Sequence, residues 1–552
     1  MASALLPAVQ LTPQTPNIPA FYLDHYRRKF AARVAAGEAR PLVIPYSLAG
    51  PLILPVLYLA IPHTKRPWLY RARFVVAAAM LALNAWTAAT TSSTNMAVAY
   101  GVGLMAVFGS FWGLAVVVFM RVQFESARVE MRPRKMKKND VGEAGPDEQA
   151  GGGGGGGFVY AVIDGQPVPD ESVAATIGEY EYYWQTYPET GSFLQRLDWV
   201  WDLYTSFRGT GWTHAIPSIP SPTRPKDPHS SPPPAVDLSS IPLATRTGYH
   251  RSQTRASFHR NRLLHMLWSY LILDLWTITA RHDPYFIPGP VPNTPLPPLP
   301  PLLASLPPPL LSVLRTALGS LGILAALGLY MNLYQLLAFS LLRGSSNSPR
   351  GQLWQYPSIF GSFPRTVLTR GLAGLWGGWW HQTFRLGFTA PTVFAVRRGW
   401  LDARPRAAST RLLALFVAFL LSGALHAAGG YTAIPHTTRA RGPLAFFVGS
   451  FAGVVAQTAA CALCRPWIER VPRPWRGVGN ALFVALWMHA TMGAVVEDMS
   501  RAGLWLYEPV PVSVVRLVGV GGMQGEGWWR WDRQFLPRWY SGRHWWESGI
   551  RL

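Results

Sequence analysis

Long apolar runs separated by blocks of arginine constrain this chain more than any other feature. A helix needs roughly 20 apolar residues to cross a hydrocarbon core about 30 Å thick. Eight stretches approach or reach that length, at about 43–62, 74–91, 97–120, 263–280, 316–342, 411–428, 443–463 and 477–497. Only 14% of the 552 residues are charged, against about a quarter in an ordinary soluble chain. The expected fold is all-α, a polytopic integral membrane protein with about eight transmembrane helices.

The formal net charge is +22. In a soluble protein this would suggest nucleic acid. Between apolar spans it reads first as topology and attraction to anionic headgroups of the bilayer, and second as a seat for an anionic cofactor such as a coenzyme A thioester. No nucleic-acid partner is expected. The loops carry the charge alternately. Lys65, Arg66, Arg71 and Arg73 fill the first, and Arg121 to Lys138 follow the third span, whereas Thr90 to Asn95 carries none. The arginine-rich 343–410 and the loop with Arg465, Arg470, Arg473 and Arg476 fall on the same side as the first. That side is expected to be cytosolic. The N-terminus then lands on the opposite side despite its own charges.

Composition divides the chain further. Residues 1–42 are polar and basic, and 43–138 hold the first three spans with a basic loop. The run Gly151–Gly157 marks 139–192 as a disordered insertion. Residues 213–256 read as a Pro/Ser-rich linker, and 501–552, rich in Trp and Arg, as an interfacial tail. Phe193 to Trp212 has apolar residues at helical spacing with charges between them, which suits a helix lying in the interface. The first 25 residues lack the pattern of a cleavable signal peptide. The only cysteines, Cys461 and Cys464, read as small membrane-buried residues rather than as half of a metal site.

Ionisable residues inside spans are costly and point to function. His265, Asp274, His426, His489 and Glu497 are of this kind. His426 lies in Ser422-Gly-Ala-Leu-His-Ala-Ala-Gly-Gly430, where small residues admit a close neighbour or a ligand. An isolated membrane histidine is more often a helix-to-helix hydrogen-bond partner. A second segment, Trp376-Gly-Gly-Trp-Trp-His381-Gln-Thr-Phe-Arg385, is apolar but too short to span. It reads either as an aromatic anchor in the interface or as the wall of a buried site.

These two motifs, with Pro357-Ser-Ile-Phe-Gly-Ser362, Arg208-Gly-Thr-Gly-Trp212 and Asp274, give the region from about 193 to 500 a pattern that resembles the wax synthase-like membrane-bound O-acyltransferases. The resemblance is greatest to the fungal branch, which includes acetyltransferases of terpenoids and other secondary metabolites. Two departures are visible. Leu375 stands where Phe is usual, and Gly377 and Gly378 replace residues that are usually charged. The resemblance implies helices around a buried tunnel, acyl-CoA as co-substrate with no bound cofactor, a lipophilic alcohol as acceptor, and the endoplasmic reticulum membrane. It also implies that His426 is catalytic and that His381 occupies a position held by Asn or His in relatives.

A histidine suits ester formation because its ordinary pKa of about 6.5 lies near neutrality. His426 is expected to act as general base and His381 to hydrogen-bond the developing oxyanion. Arg365, Arg370 and Arg385, with Trp376 and Trp380, are expected to hold the coenzyme, with Arg397 and Arg398 as further candidates. No metal site, phosphate-binding loop or Gly-x-Ser-x-Gly elbow is evident. Acetyl transfer is the expected reaction. Long-chain wax ester synthesis is the alternative, and a proton-coupled secondary transporter is the reading from a different class.

Overall fold

In a computed structural model the described residues are 17–133, 160–163, 166–169, 180–287, 289–290, 297–342, 348–404, 407–434, 441–523, 525–532 and 536–552. Most of the expected insertion, 139–192, lies outside them. In chain order the main helices are α1 (Ile18–Ala35), α2 (Tyr46–Leu59), α3 (Arg73–Thr90), α4 (Met96–Phe119), α5 (Phe193–Thr205), α6 (Arg255–His282), α7 (Pro308–Leu342), α8 (Phe363–Gly374), α9 (Arg385–Arg397), α10 (Ala408–Thr432), α11 (Arg441–Leu463) and α12 (Arg473–Arg501). Five strands matter here: β1 (Val43–Ile44), β2 (Ala127–Pro133), β3 (Tyr180–Thr186), β4 (Arg538–Tyr540) and β5 (Gly549–Arg551).

Among the described residues, seven helices, α3, α4, α6, α7, α10, α11 and α12, are long and apolar enough to cross a membrane. The polytopic helical fold expected from hydropathy is therefore present. The eighth expected span, 43–62, is the shorter α2. Pro45, Pro51 and Pro55 explain its length. Each removes an N–H donor, and the segment runs through 3-10, π and α turns in succession. It still joins the two ends of the bundle. Its start is tied through β1 to β5, while Gln123, just beyond α4, donates to the carbonyls of Leu59 and Ile61 at its far end.

The two ends of the bundle are built from different segments. The described parts of 120–254 and 348–404 meet at the first, and Asn480 of α12 reaches Leu368 O there. Arg397 pairs with Glu125 there at 2.7 Å, and Gln335 donates to Pro357 at 3.0 Å. The opposite end gathers the turns after α3, α6 and α10. Tyr22, Tyr26 and Phe30 of α1 pack there with Ile287, Ile434 and Leu506. The N-terminal segment thus sits at the end opposite the arginine-rich loops, as the loop charges implied.

Three segments are more ordered than their composition suggests. β3 pairs antiparallel with β2 from Tyr180 to Thr186, so the C-terminal part of the 139–192 stretch is structured. Residues 213–256 are packed rather than loose. Ile216, Ile219 and Tyr249 form a small core, and Leu238 and Ile241 join Val129, Trp184 and Trp354 in another. The expected tail beyond 501 folds back onto α6. There Glu508 and Glu526 are buried among Arg281, Arg516 and Arg530, with the shortest pairs at 2.6 Å (Arg281–Glu526) and 2.8 Å (Arg530–Glu508). Helix α5 is amphipathic as expected. It buries Trp199, Val200, Leu203 and Tyr204 and leaves Leu194 and Trp201 exposed. Cys461 and Cys464 are unpaired and lie on the exposed side of the last turn of α11 and just beyond it, not between helices.

Candidate active site

The Trp-Gly-Gly-Trp-Trp-His segment is built by a broken helix. At Gly371 the backbone turns to φ +54°, a left-handed region that disfavours side chains. The side chain of Gln457 from α11 occupies the space a Cβ would take, and its Oε1 accepts from Leu372 N at 2.8 Å. Gln457 is held in turn by Asn480, which also donates to Leu368 O. A π turn over Leu375–Trp379 follows. Here the departure from the family pattern has a physical reason. A Cβ on Gly378 would stand 2.7 Å from Thr366 Cγ2, so a charged side chain would not fit.

Hydrogen bonds then fix the loop and the segments around it. Tyr249 donates to Trp380 O at 2.7 Å, and Gln382 Nε2 donates to Trp376 O and Trp380 O. Arg208 donates to Ser358 O at 2.8 Å and to Pro357 O at 3.2 Å. Ser358 is itself bonded to His250. The Arg-Gly-x-Gly-Trp block, the 245–250 turn and the Pro-Ser-Ile-Phe-Gly-Ser segment are thereby joined. Arg208 has no carboxylate partner among the described residues, and burial lowers its pKa.

His381 lies between Trp380 and Phe384, with ring centroids 5.1 and 5.6 Å away. Its Nδ1 is buried and has no hydrogen-bond partner. Burial first, then the charges of His426 and Arg208, push its pKa down to about 3. The ring is therefore neutral near pH 7 and can donate only through whichever nitrogen carries the proton.

His426 comes from α10. It stacks on Phe447 of α11 at 5.1 Å and 12°. Phe447 also meets Trp376 at 6.0 Å, and Trp376 meets Trp380 at 5.7 Å. A continuous set of rings thus connects the two histidine segments across three parts of the chain. Tyr100 of α4 donates to the His426 carbonyl at 3.1 Å, and its oxygen makes a longer contact of 3.5 Å with Nδ1. That contact favours a proton on Nδ1 and leaves Nε2 free as a base, by the usual rule that one nitrogen's partner sets the role of the other.

The remaining candidates divide. Arg385 is half-buried and bonds Gly377 O and Gln382 Oε1. The nearest heavy atom to a Cβ built on Gly377 is a terminal nitrogen of Arg370, at 4.0 Å. Both arginines therefore reach the glycine pair, and neither has a carboxylate partner among the described residues. Burial, then Arg370, lowers the pKa of Arg385. Arg365 is exposed in the first turn of α8. Arg397 is already paired with Glu125, and Arg398 lies over Phe394, so both point away from the histidine segments. Trp376 is partly buried with Nε1 unpartnered.

The other intramembrane ionisable residues have local duties. His265 is exposed and bonds Asn261 O within its own helix. His489 bonds Thr316 at 3.2 Å and links α12 to α7. Glu497 pairs with Arg501 at 3.7 Å. Asp274 accepts from Val515 N at 3.0 Å and anchors the tail. The sequence reading missed Asp498 and Tyr100. Asp498 is fully buried, and neither carboxyl oxygen has a hydrogen-bond partner.

The fold and the site define a multi-pass membrane protein whose aromatic-lined centre joins a loop histidine to a histidine inside a span. Residues 356–449, which carry both histidines, match the membrane bound O-acyl transferase family. The O-mevalon transferase yanI of Aspergillus niger is 24% identical over 358 residues, which cover 60% of this chain and 64% of that relative's length. The family resemblance drawn from the motifs, including its fungal character, agrees with both. No solved structure matches the chain.

Proposed function

We propose that the protein is an acyl-CoA-dependent O-acyltransferase that forms an ester on a lipophilic alcohol. Acetyl is the expected acyl group and a terpenoid or another secondary metabolite the expected acceptor. The observation that carries this reading is the run of ring contacts that links His381 to His426 through Trp380, Trp376 and Phe447.

In the proposed step His426 Nε2 takes the proton of the alcohol as its oxygen attacks the thioester carbonyl carbon. An N–H of His381 donates to the oxygen that gains negative charge. The tetrahedral centre collapses, the carbon–sulfur bond breaks, and the departing thiolate recovers the proton from His426. The apolar walls exclude water and so disfavour hydrolysis of the thioester. Arg370 and Arg385, which both reach Gly377 and have no carboxylate partner among the described residues, would hold the coenzyme phosphates. The transporter reading is weakened by the local engagement of His489, Glu497 and Asp274, which removes three members of a relay.

Membranes containing the protein, given labelled acetyl-CoA and lipophilic alcohols, are expected to place label in an organic-soluble ester. Label from palmitoyl-CoA alone would favour wax ester synthesis, and label from neither would refute the enzyme reading. The name of the similar Aspergillus protein concerns a mevalon group, so mevalonyl-CoA belongs among the donors tested. His381→Ala is expected to lower kcat by about 10²–10³-fold with little change in KM, since the lost hydrogen bond forms mainly in the transition state. Replacing Arg370 and Arg385 together by alanine is expected to raise KM for the acyl-CoA roughly tenfold or more, because charge-assisted bonds to phosphate are lost. Steady-state kinetics that vary each substrate in turn check both.

A further inference from the structure

Asp498 has no part in the mechanism above, yet its position relates it to His426. Residues four apart lie on the same face of a helix, so His426 and Gly430 face the same way from α10. A Cβ built on Gly430 would stand 2.8 Å from Asp498 Oδ2. Facing α10 from the other side, Gly442 on α11 would place a Cβ 3.2 Å from Asp498 Cβ. Two glycines therefore make room for the carboxyl group between helices. Tyr100 of α4 packs beside both positions on α10: its hydroxyl meets His426, and its ring lies 2.5 Å from where a Cβ of Gly429 would be.

The carboxyl group is fully buried and unpartnered. Arg501, the nearest cation in sequence, is committed to Glu497 and to Pro290 O. Such a group is rare in native structures and calls for a bonding partner. Gly430, which Asp498 faces, lies one helical turn from His426, about 6 Å along the axis of α10. The carboxyl group lies near the end of α12 opposite the one that packs on α8 and Arg370, where an acceptor would approach the base without crossing the coenzyme.

Resting on the acyltransferase reading, we propose that Asp498 determines acceptor specificity: it binds a second hydrogen-bond donor, a hydroxyl or amine, about one helical turn from the hydroxyl that is acylated. The preferred acceptor class is then a lipophilic molecule with two polar groups rather than a simple long-chain alcohol.

The test compares dodecanol with dodecanediols whose second hydroxyl is moved progressively along the chain. The readout is the ratio of kcat/KM for diol to that for dodecanol. The wild type is expected to favour the diols, most strongly where the hydroxyl spacing approaches about 6 Å, one turn of helix. Asp498→Ala is expected to reduce that ratio at least tenfold through KM for the diol. Asp498→Asn, which keeps the shape and an acceptor oxygen, is expected to fall between, and it serves as the control if alanine prevents folding. A wild type without preference for diols, or a ratio unmoved in both variants, overturns the proposal and leaves the carboxyl group to solvent or helix packing. A wild type that acylates neither alcohol with any donor refutes the underlying acyltransferase reading instead.

Discussion

His426→Ala is expected to lower ester formation by about two to four orders of magnitude, the usual contribution of a positioned general base. The effect should fall on kcat, because the imidazole touches the reacting proton rather than the bulk of either substrate. The fold should survive. His426 lies among small residues, and the partners of its ring are Phe447 and the long Tyr100 contact. The Tyr100 bond to the carbonyl is unaffected by the substitution. Size-exclusion profiles of the solubilised protein would verify this before rates are compared. His426→Gln restores size and polarity but not basicity, so it should be nearly as inactive as alanine. Substantial activity in either variant would remove His426 from the mechanism.

The largest expected effect on stability lies far from the histidines. Glu508→Ala is expected to destabilise the protein by about 3–5 kcal/mol, the usual cost of removing one partner from a buried ion pair. Glu508 is 4% exposed and faces Arg281 at 3.4 Å, Arg516 at 3.3 Å and Arg530 at 2.8 Å. Removing its charge leaves three buried guanidinium groups with only Glu526 to neutralise them. The tail would then separate from α6, where Arg281 sits in the last turn. Thermal unfolding of the detergent-solubilised protein reads this directly. An unchanged midpoint would show that the cluster contributes nothing net. Glu508→Gln, which keeps the shape without the charge, separates electrostatics from packing.

The spans were legible in the sequence because hydropathy over some twenty residues is a strong signal. The shortening of the first was visible only in its three prolines. The packing of 213–256 was hidden. Its Pro/Ser composition suggests a loose linker, but Tyr249 and Arg251 are buried, and Tyr249 supplies a donor to the loop that carries His381. Among the site residues, His381 and His426 stood out by residue type and setting, and the motif pattern paired them. The two neighbouring acids of α12 show where sequence reasoning ends. Glu497 was singled out, yet it turns to Arg501 at a half-exposed surface, while Asp498, one residue on and about 100° further round the helix, is buried against Gly430 and Gly442. The signal that could have separated them is Gly430, which must be small to admit the carboxyl group, but nothing in one sequence says which helix Gly430 faces. Tyr100 was missed for the same reason, since its role depends on α4 packing against α10.

The central claim is that one site, joined from two distant histidine segments, transfers an acyl group from coenzyme A to an alcohol. The most direct test is to follow release of the free thiol and formation of ester together, with purified protein in lipid nanodiscs, for the wild type and His426→Ala. The account predicts that thiol and ester appear in equal amounts in the wild type and that both are lost in the variant. Thiol released without ester, or ester formed equally by the variant, would contradict it.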